Sequence, residues 1–209
     1  MRRGLLGGTF DPIHTGHLIL AQEVQWRLRL DEVWFVPTGL PWMKRGEPIS
    51  ERRHRRAMVE LAIEGNPKFR VSTIELDRPG ETYTVDTLDE LRAGPMADGE
   101  LVFIMGADAL QSMHLWRDPQ RILELTRIVV ALRPGHGPVD LGPLTAVDPT
   151  APERVMTAPA PLIDISGTEL RRRVRHGEPV RYLAPDAVVD YIAEHSLYQG
   201  RSAALRTGG

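Results

Sequence analysis

The chain has 209 residues, with 26 basic and 28 acidic side chains, a formal net charge of −2 and no cysteine. The near-neutral charge argues against bulk binding to nucleic acid or to a membrane surface. The lack of cysteine excludes disulfides, thiolate metal ligands and cysteine nucleophiles. The hydrophobic fraction of 42% is too high for general disorder, and the length fits one folded domain.

The hydropathy of the chain predicts its location. The first residues, MRRGLLGG, lack the apolar run of a signal peptide. No apolar run reaches the roughly 18 residues that a membrane-spanning helix needs. We therefore expect a cytoplasmic protein with a single domain over residues 1–198 and a mobile polar tail over residues 199–209.

Short apolar runs alternate with amphipathic stretches along the chain. The runs predict strands at residues 4–6, 32–37, 69–76, 101–105, 128–132 and 162–165. The amphipathic stretches predict helices at residues 16–28, 51–64, 83–92, 166–175 and 185–194, with shorter helices after Gly106 and from Asp118-Pro119. Residues 134–161 contain seven of the 17 prolines and are expected to be mostly loop.

This alternation predicts the fold class. Several of the predicted strands, such as LVFIM at residues 101–105, are apolar on both faces, which is typical of a buried parallel sheet. We expect an α/β, Rossmann-like, doubly wound parallel sheet with helices on both faces and a small C-terminal helical part. Ligands of such sheets bind at the carboxyl ends of the strands.

Residues 7–17, GGTFDPIHTGH, join the first predicted strand to the first predicted helix. Gly7 and Gly8 allow a tight turn and a close approach of the backbone to a ligand. The N-terminus of the following helix attracts anions. His14 and His17 are three residues apart, so both rings can point at one spot above the strand end. The plainer alternative is a structural turn that carries two solvated histidines.

Three further stretches should lie at the same edge of the sheet. PWMK at residues 41–44 follows the second strand, GADAL at 106–110 follows the LVFIM strand, and ISGTELR at 165–171 follows the last predicted strand. Together with residues 7–17, these stretches supply four cationic or N–H donors, His14, His17, Lys44 and Arg171. Such donors suit phosphates, because phosphoryl transfer needs alignment and charge stabilisation more than covalent help.

GGTFDPIHTGH resembles the HxGH signature of the nucleotidylyltransferase superfamily, in the form found in bacterial nicotinate-nucleotide adenylyltransferases. YTVDTL, GADAL, RPG and ISGTELR match further motifs of that family, in order along the chain. The resemblance implies that the phosphate of nicotinate mononucleotide attacks the α-phosphorus of ATP in line, and that pyrophosphate leaves, in NAD biosynthesis. The expected cofactor is Mg²⁺, held mainly by the ATP phosphates and not by a protein metal site. Whether the protein forms a homo-oligomer stays open.

Donor chemistry and resemblance together assign roles to individual residues. The residues expected to stabilise charge during catalysis are His14, His17, Lys44 and Arg171. The implied ATP contacts are Gly7, Gly8, Thr9, Phe10, His17, Gly106, Asp108, Ser166, Thr168 and Arg171. The implied contacts of nicotinate mononucleotide are Tyr83, Thr84, Trp116, Lys44 and Arg133. Asp108 would bind the ribose of ATP, and Trp116 would stack on the pyridine ring.

The match has departures from the family pattern. Gly167 stands where the family usually has a second serine, so one hydroxyl contact with ATP is missing. Trp42 and Met43 stand where the family often has proline and histidine. Ser166 and Glu169 also match a purely structural capping box. The other arginines nearby are expected to form solvated faces, namely Arg52, Arg53, Arg55, Arg56, Arg172, Arg173 and Arg175.

Four other functions stay open at this point. Pantetheine-phosphate adenylyltransferases share the HxGH turn, but they are usually shorter and lack the YTxxTL and Trp pieces. An adenylyltransferase specific for nicotinamide mononucleotide is the second alternative. A non-catalytic nucleotide-binding module would need the G-x-G-x-x-G pattern, which the sequence lacks. A metal hydrolase using both histidines would need a third ligand, and none is evident.

Overall fold

The computed structural model describes residues 1–42, 48–132, 139–161 and 163–199. Its strands are β1 (Arg2–Gly8), β2 (Glu32–Pro37), β3 (Phe69–Val71), β4 (Glu100–Gly106), β5 (Arg127–Leu132) and β6 (Val155–Pro159). Its helices are α1 (Thr15–Arg27), α2 (Arg52–Ile63), α3 (Thr84–Ala93), α4 (Ala107–Ser112), α5 (Pro119–Leu125), α6 (Gly142–Thr145), α7 (Ala151–Arg154), α8 (Gly167–His176) and α9 (Asp186–Glu194).

The strands form one sheet in the order β3-β2-β1-β4-β5-β6. All five neighbouring pairs are parallel. The chain winds outward from β1 to β3, returns to place β4 beside β1, and then winds the other way to β6. The direction therefore reverses between β1 and β4, and a crevice forms at such a point outside the carboxyl ends of the strands.

The two faces of the sheet carry separate apolar cores. Leu5 and Leu6, adjacent in β1, point to opposite faces, as alternating strand residues must. The core on the Leu6 side includes buried residues of α1, α2, α8 and α9. The core on the Leu5 side includes buried residues of α3, α4, α5 and α6. This arrangement confirms the predicted α/β, doubly wound fold class.

Local capping signals place two of the helices. The Asp118 side chain accepts a hydrogen bond from the N–H of Arg121 at 3.1 Å, and Pro119 is the first residue of α5. Both agree with the N-cap and the first helical position predicted from the sequence Asp118-Pro119. At α8 the Ser166 hydroxyl accepts from the N–H of Glu169 at 3.2 Å. The Glu169 carboxylate binds Arg172 at 2.8 Å, so the structure gives half of the expected capping box.

The last strand is not where the sequence predicts it. It is β6, Val155–Pro159, whereas residues 163–165 of the predicted strand are irregular and residue 162 lies outside the described residues. The prediction was wrong because the prolines of residues 134–161 suggested a loop. A strand at the edge of a sheet tolerates proline, and β6 is such a strand.

The third strand is shorter than predicted. It covers Phe69–Val71, which pair with residues 33–35 of β2, and not the whole of residues 69–76. The chain then leaves the sheet, and Glu75 turns inward to accept a hydrogen bond from the Thr87 hydroxyl.

Some expectations lie beyond what the structure tests. Residues 200–209 of the predicted tail lie outside the described residues. The extent of a single domain over residues 1–198 stays a prediction. Within the described ranges, no helix combines the length and apolar character needed to cross a membrane.

Candidate active site

A cavity of about 710 Å³ lies over the crevice between β1 and β4. The residues singled out from the sequence that line it are Thr9, Phe10, His14, His17, Gly106, Asp108, Ser166, Thr168 and Arg171. Among the lining residues that the sequence did not single out are Leu20, Gln111, Asp140, Pro161 and Ile163. Segments more than 150 positions apart along the chain thus meet around one space.

The two histidines form a stacked pair at the start of α1. Their ring centroids are 3.7 Å apart, and the planes are inclined by 24°. The Nδ1 atom of His17 accepts a hydrogen bond from the backbone N–H of His14 at 3.2 Å. A neutral His17 ring therefore carries its proton on Nε2. The Nδ1 atom of His14 is buried and has no hydrogen-bond partner among the described residues.

Burial keeps both imidazoles neutral near pH 7. It lowers the pKa of His14 to about 4 from the usual 6.5. Burial also lowers the pKa of His17 well below 6.5, and the neighbouring His14 adds a smaller effect in the same direction. Each ring then offers one N–H donor and no charge until a bound anion raises the pKa.

Gly8 leaves room for the Phe10 ring, which lines the cavity. A Cβ atom on Gly8 would lie 2.9 Å from Cε1 of the Phe10 ring, which is too close. Phe10 is only 2% exposed, and its ring packs edge-on against His17 at a centroid distance of 5.0 Å. Gly7 is exposed and, like Gly8, does not line the cavity.

The N-terminus of α8 packs against the loop that carries the histidines, and both line the cavity. The Arg171 guanidinium donates from Nη1 to the carbonyl oxygen of Asp11 at 2.7 Å, and from Nη2 to the Thr168 hydroxyl at 3.3 Å. A Cβ atom on Gly167 would lie 3.2 Å from the same carbonyl oxygen. The glycine therefore allows α8 to approach the loop closely.

The neighbouring arginines of α8 are engaged in ion pairs. Arg172 donates to the carboxylates of Glu169 and Glu178, at 2.8 and 2.7 Å. Arg173 donates to Glu169 at 2.9 Å. These hydrogen bonds lower the pKa of Glu169 to about 2. Arg171, in contrast, lines the cavity.

The described residues predicted to hold the mononucleotide, Tyr83, Thr84 and Trp116, do not line the cavity. Tyr83 stands between Trp42, stacked at a centroid distance of 6.2 Å, and the Arg117 guanidinium, 4.9 Å from the ring centroid. Thr84 begins α3 directly after Tyr83.

Trp116 belongs to the same apolar core as Tyr83 and Phe103. Trp42, Tyr83, Phe103 and Trp116 are called the aromatic wall below. Its ring packs edge-on against Phe103 at 6.2 Å, and its buried Nε1 has no hydrogen-bond partner among the described residues. The Phe103 ring lies 3.7 Å from where a Cβ of Gly7 would be. The Phe103 and Trp116 rings therefore lie on the Leu5 side of the sheet, beside the end of β1.

Two predicted site residues, Lys44 and Arg133, lie outside the described residues. No group of three or more His, Asp or Glu side chains in the described ranges is placed to hold a metal ion.

Sequence reasoning missed a set of buried polar residues beneath the site. Arg55, expected on a solvated face, is 1% exposed. Asp11 is 6% exposed and accepts from the Tyr198 hydroxyl at 2.6 Å and from the N–H of Ser50 at 3.1 Å. Arg52 is also partly buried, and it donates to the carbonyl oxygen of Leu76 at 2.6 Å. In α2, Arg55 shares a face with the buried Met58 and Val59, three and four positions later, but this spacing does not by itself predict a buried arginine.

Comparison with known proteins agrees with this geometry. The cytidylyltransferase-like family matches residues 5–173. A protein of Thermomicrobium roseum named "Probable nicotinate-nucleotide adenylyltransferase" is 48% identical over 206 residues, which cover 99% of this chain and 95% of that protein. A protein of a Roseiflexus species with the same name is 50% identical over 94% of this chain and 97% of its own length.

A solved structure extends the comparison to the fold. It is the Plasmodium falciparum nicotinic acid mononucleotide adenylyltransferase complexed with NaAD, with a TM-score of 0.75 and 19% identity over 94% of this chain and 97% of that one. At that identity the likeness concerns the fold alone. The chain belongs to the cytidylyltransferase-like family and, by its sequence relatives, to the nicotinate-nucleotide adenylyltransferases within it, which confirms the resemblance of its motifs.

Proposed function

We propose that the protein transfers the adenylyl group of ATP to the phosphate of nicotinate mononucleotide, giving nicotinate adenine dinucleotide and pyrophosphate. The observation that carries this proposal is the meeting of His14, His17 and Arg171 around one cavity at the carboxyl edge of the sheet. A triphosphate is the ligand that such a set of donors suits best.

ATP would lie across the crevice between β1 and β4. The N-termini of α1 and α8 both open onto the cavity. The N–H groups of Thr15, His17 and Glu169 are already hydrogen-bonded, so those of Gly16, Gly167 and Thr168 would receive phosphate oxygens. Thr168 and Arg171 would add a hydroxyl and a guanidinium from the first turns of α8. Asp108, on the opposite wall, would accept hydrogen bonds from the ribose hydroxyls.

The reaction needs alignment and not a general base. The attacking phosphate is largely ionised at neutral pH, since its second pKa is roughly 6. One of its oxygens forms a bond to the α-phosphorus of ATP, while the bond from that phosphorus to the bridging oxygen of the β-phosphate breaks. Pyrophosphate leaves with the bonding electrons.

The histidines would stabilise the charge that builds up on the transferring and leaving groups. Each presents an N–H donor in a buried site, where a hydrogen bond to an anion is stronger than in water. The approach of phosphates raises the pKa of both rings, so that binding ATP draws a proton toward the pair. Arg171 is already oriented by the carbonyl oxygen of Asp11, which limits the reorganisation needed on binding.

The mononucleotide would bind against the aromatic wall. Trp116 would stack on the pyridine ring, and Tyr83 and Thr84 at the start of α3 would receive its carboxylate. Lys44 and Arg133 would add positive charge from the loops after β2 and β5. A cytoplasmic location stays a prediction, and a homo-oligomer stays a possibility that the single chain does not test.

A magnesium ion would enter with ATP. Mg²⁺ usually binds through substrate phosphates, and the ATP phosphates would be its main ligands here. When bound, the ion would neutralise charge on the phosphate oxygens.

The test is pyrophosphate release by the purified protein with ATP, Mg²⁺ and one of three acceptors. We expect release with nicotinate mononucleotide, and weaker release with its amide. Release with phosphopantetheine alone would replace this proposal by the sister activity. Binding of ATP without release, whatever the acceptor, would indicate a non-catalytic module.

A further inference from the structure

Arg55 of α2 has no place in the reaction described so far, although it is among the largest fully buried side chains of the described chain. Among the described residues, its guanidinium donates to four backbone carbonyl oxygens. Nε donates to Ser50 at 3.0 Å, Nη1 to Thr9 at 2.9 Å and Thr38 at 2.6 Å, and Nη2 to Gly39 at 3.0 Å. A buried charge with this many partners is fixed in position.

The partners of Arg55 belong to loops that follow two adjacent strands. Thr9 comes directly after β1 and lines the cavity proposed for ATP. Thr38 and Gly39 come directly after β2 and lead to Trp42, which stacks on Tyr83. One cation therefore sets the spacing between the ATP side and the mononucleotide side of the site.

Glu75 holds the second of these loops from the other side. Its carboxylate accepts from the Thr87 hydroxyl at 2.9 Å. Burial raises the pKa of this carboxyl, and the polar groups of Thr87, Thr82 and Gly39 partly offset that rise. Thr82 immediately precedes Tyr83, and it also donates its N–H to the carbonyl oxygen of Leu40 at 3.1 Å. Glu75 as a whole is only 8% exposed, so its hydrogen bond with Thr87 is shielded from water.

Gly39 is the joint between the two charges. Its carbonyl oxygen accepts from Arg55 at 3.0 Å, and its Cα packs against the backbone of Glu75. A Cβ atom there would lie 2.2 Å from the backbone oxygen of Glu75, so the position accepts no side chain without moving the loop. Hydrogen bonds thus join Thr9 to Gly39 through Arg55, Gly39 packs against Glu75, and Glu75 is bonded to Thr87 of α3.

We propose that Arg55 and Glu75 are positioning residues that hold the two substrate sides of the active site in register through Gly39. This inference rests on the proposed function and deepens it. Stability alone is a poor reason for the pair, because apolar residues of similar volume often stabilise a core as well as buried charges do. The guanidinium and the carboxylate instead fix the angle and distance of main-chain groups, which apolar side chains do not do.

The test compares Arg55→Met and Arg55→Lys with Arg53→Met as the matched control. Arg53 lies two positions away in the same helix, and its side chain is 73% exposed. For each variant we would measure the melting temperature, and then kcat and both KM values well below it. We expect kcat/KM to fall on the order of 10²-fold in Arg55→Met, since a misplacement of about 1 Å can cost that much. Arg55→Lys should recover part of the loss, and Arg53→Met should match the wild type.

Glu75→Gln separates positioning from folding. It should raise the KM for the mononucleotide about tenfold, the effect of roughly 1.4 kcal/mol of lost binding, and leave the KM for ATP within about twofold. If Arg55→Met does not fold, Arg55→Lys and Glu75→Gln decide the question. Variants that melt earlier but keep wild-type kcat and both KM values would overturn the proposal. If wild type turns over only with another acceptor, the proposed function fails, and the same variants are measured with that acceptor.

Discussion

Replacing Gly8 by alanine probes how closely the catalytic loop is packed. The new Cβ would lie 2.9, 3.0 and 3.3 Å from Cε1, Cζ and Cδ1 of Phe10. That ring is 2% exposed and also contacts Phe35, at a centroid distance of 5.9 Å, so it has little room to retreat. Overpacking of this kind costs about 1–3 kcal/mol. In a chain of this size, each kcal/mol lowers the melting temperature by about 2–4 °C.

The same substitution should impair turnover more than binding. The Phe10 ring supports His17 edge-on, so a displaced ring shifts the imidazole from its stacked position. We expect kcat to fall on the order of 10-fold to 10²-fold, because misplacement of a catalytic group by about 1 Å has effects of that size.

Gly7→Ala is the matched control for this experiment. Its Cβ would meet Phe103 at 3.7 Å, an ordinary contact, so stability should stay within about 0.5 kcal/mol of the wild type. Thermal melting followed by circular dichroism and pyrophosphate release at 25 °C test both variants. The steric reasoning is wrong if Gly8→Ala melts and turns over like the wild type, or if both variants are damaged equally.

Three further substitutions test the surroundings of the site. His17→Ala should lower kcat on the order of 10²–10³-fold while calorimetry finds ATP affinity within a few-fold of wild type, and unchanged turnover would remove the histidine from the mechanism. Tyr198→Phe removes the 2.6 Å hydrogen bond to the buried Asp11 and should cost about 1.5–3 kcal/mol in urea unfolding, against a smaller loss for Tyr191→Phe, whose hydroxyl bonds His54 at 3.0 Å on a more open surface. The pKa of His14, lowered to about 4, means that the unfolded chain binds the proton first as pH falls below 6.5. Stability should therefore decline between pH 6.5 and 4, by up to about 1.4 kcal/mol per pH unit for this group, and His14→Asn should flatten that slope in unfolding measurements.

Local signals gave most of the fold and much of the cavity lining. The order of strand, glycine turn and helix at residues 2–27 follows from neighbouring residues, and so does the cap at Asp118-Pro119. The rule that ligands bind at the carboxyl ends of parallel strands then predicts that residues 7–17 and 165–171 lie close together. The structure places both segments around one cavity.

The errors have two physical causes. The strand β6 was missed because an edge strand is only half paired, so it can carry proline and exposed residues that otherwise signal a loop. The burial of Arg55 was missed because it depends on which carbonyl oxygens the fold assembles around α2, and those lie at residues 9, 38, 39 and 50. Neither cause is visible in a local pattern.

The central claim is that distant segments of the chain grip one triphosphate at the edge of the sheet. A crystal structure with a non-hydrolysable ATP analogue and Mg²⁺ tests it most directly. We predict that the phosphates lie between the N-termini of α1 and α8, within hydrogen-bond distance of His17 and the Arg171 guanidinium. A triphosphate bound elsewhere, in contact with neither residue, would contradict the account.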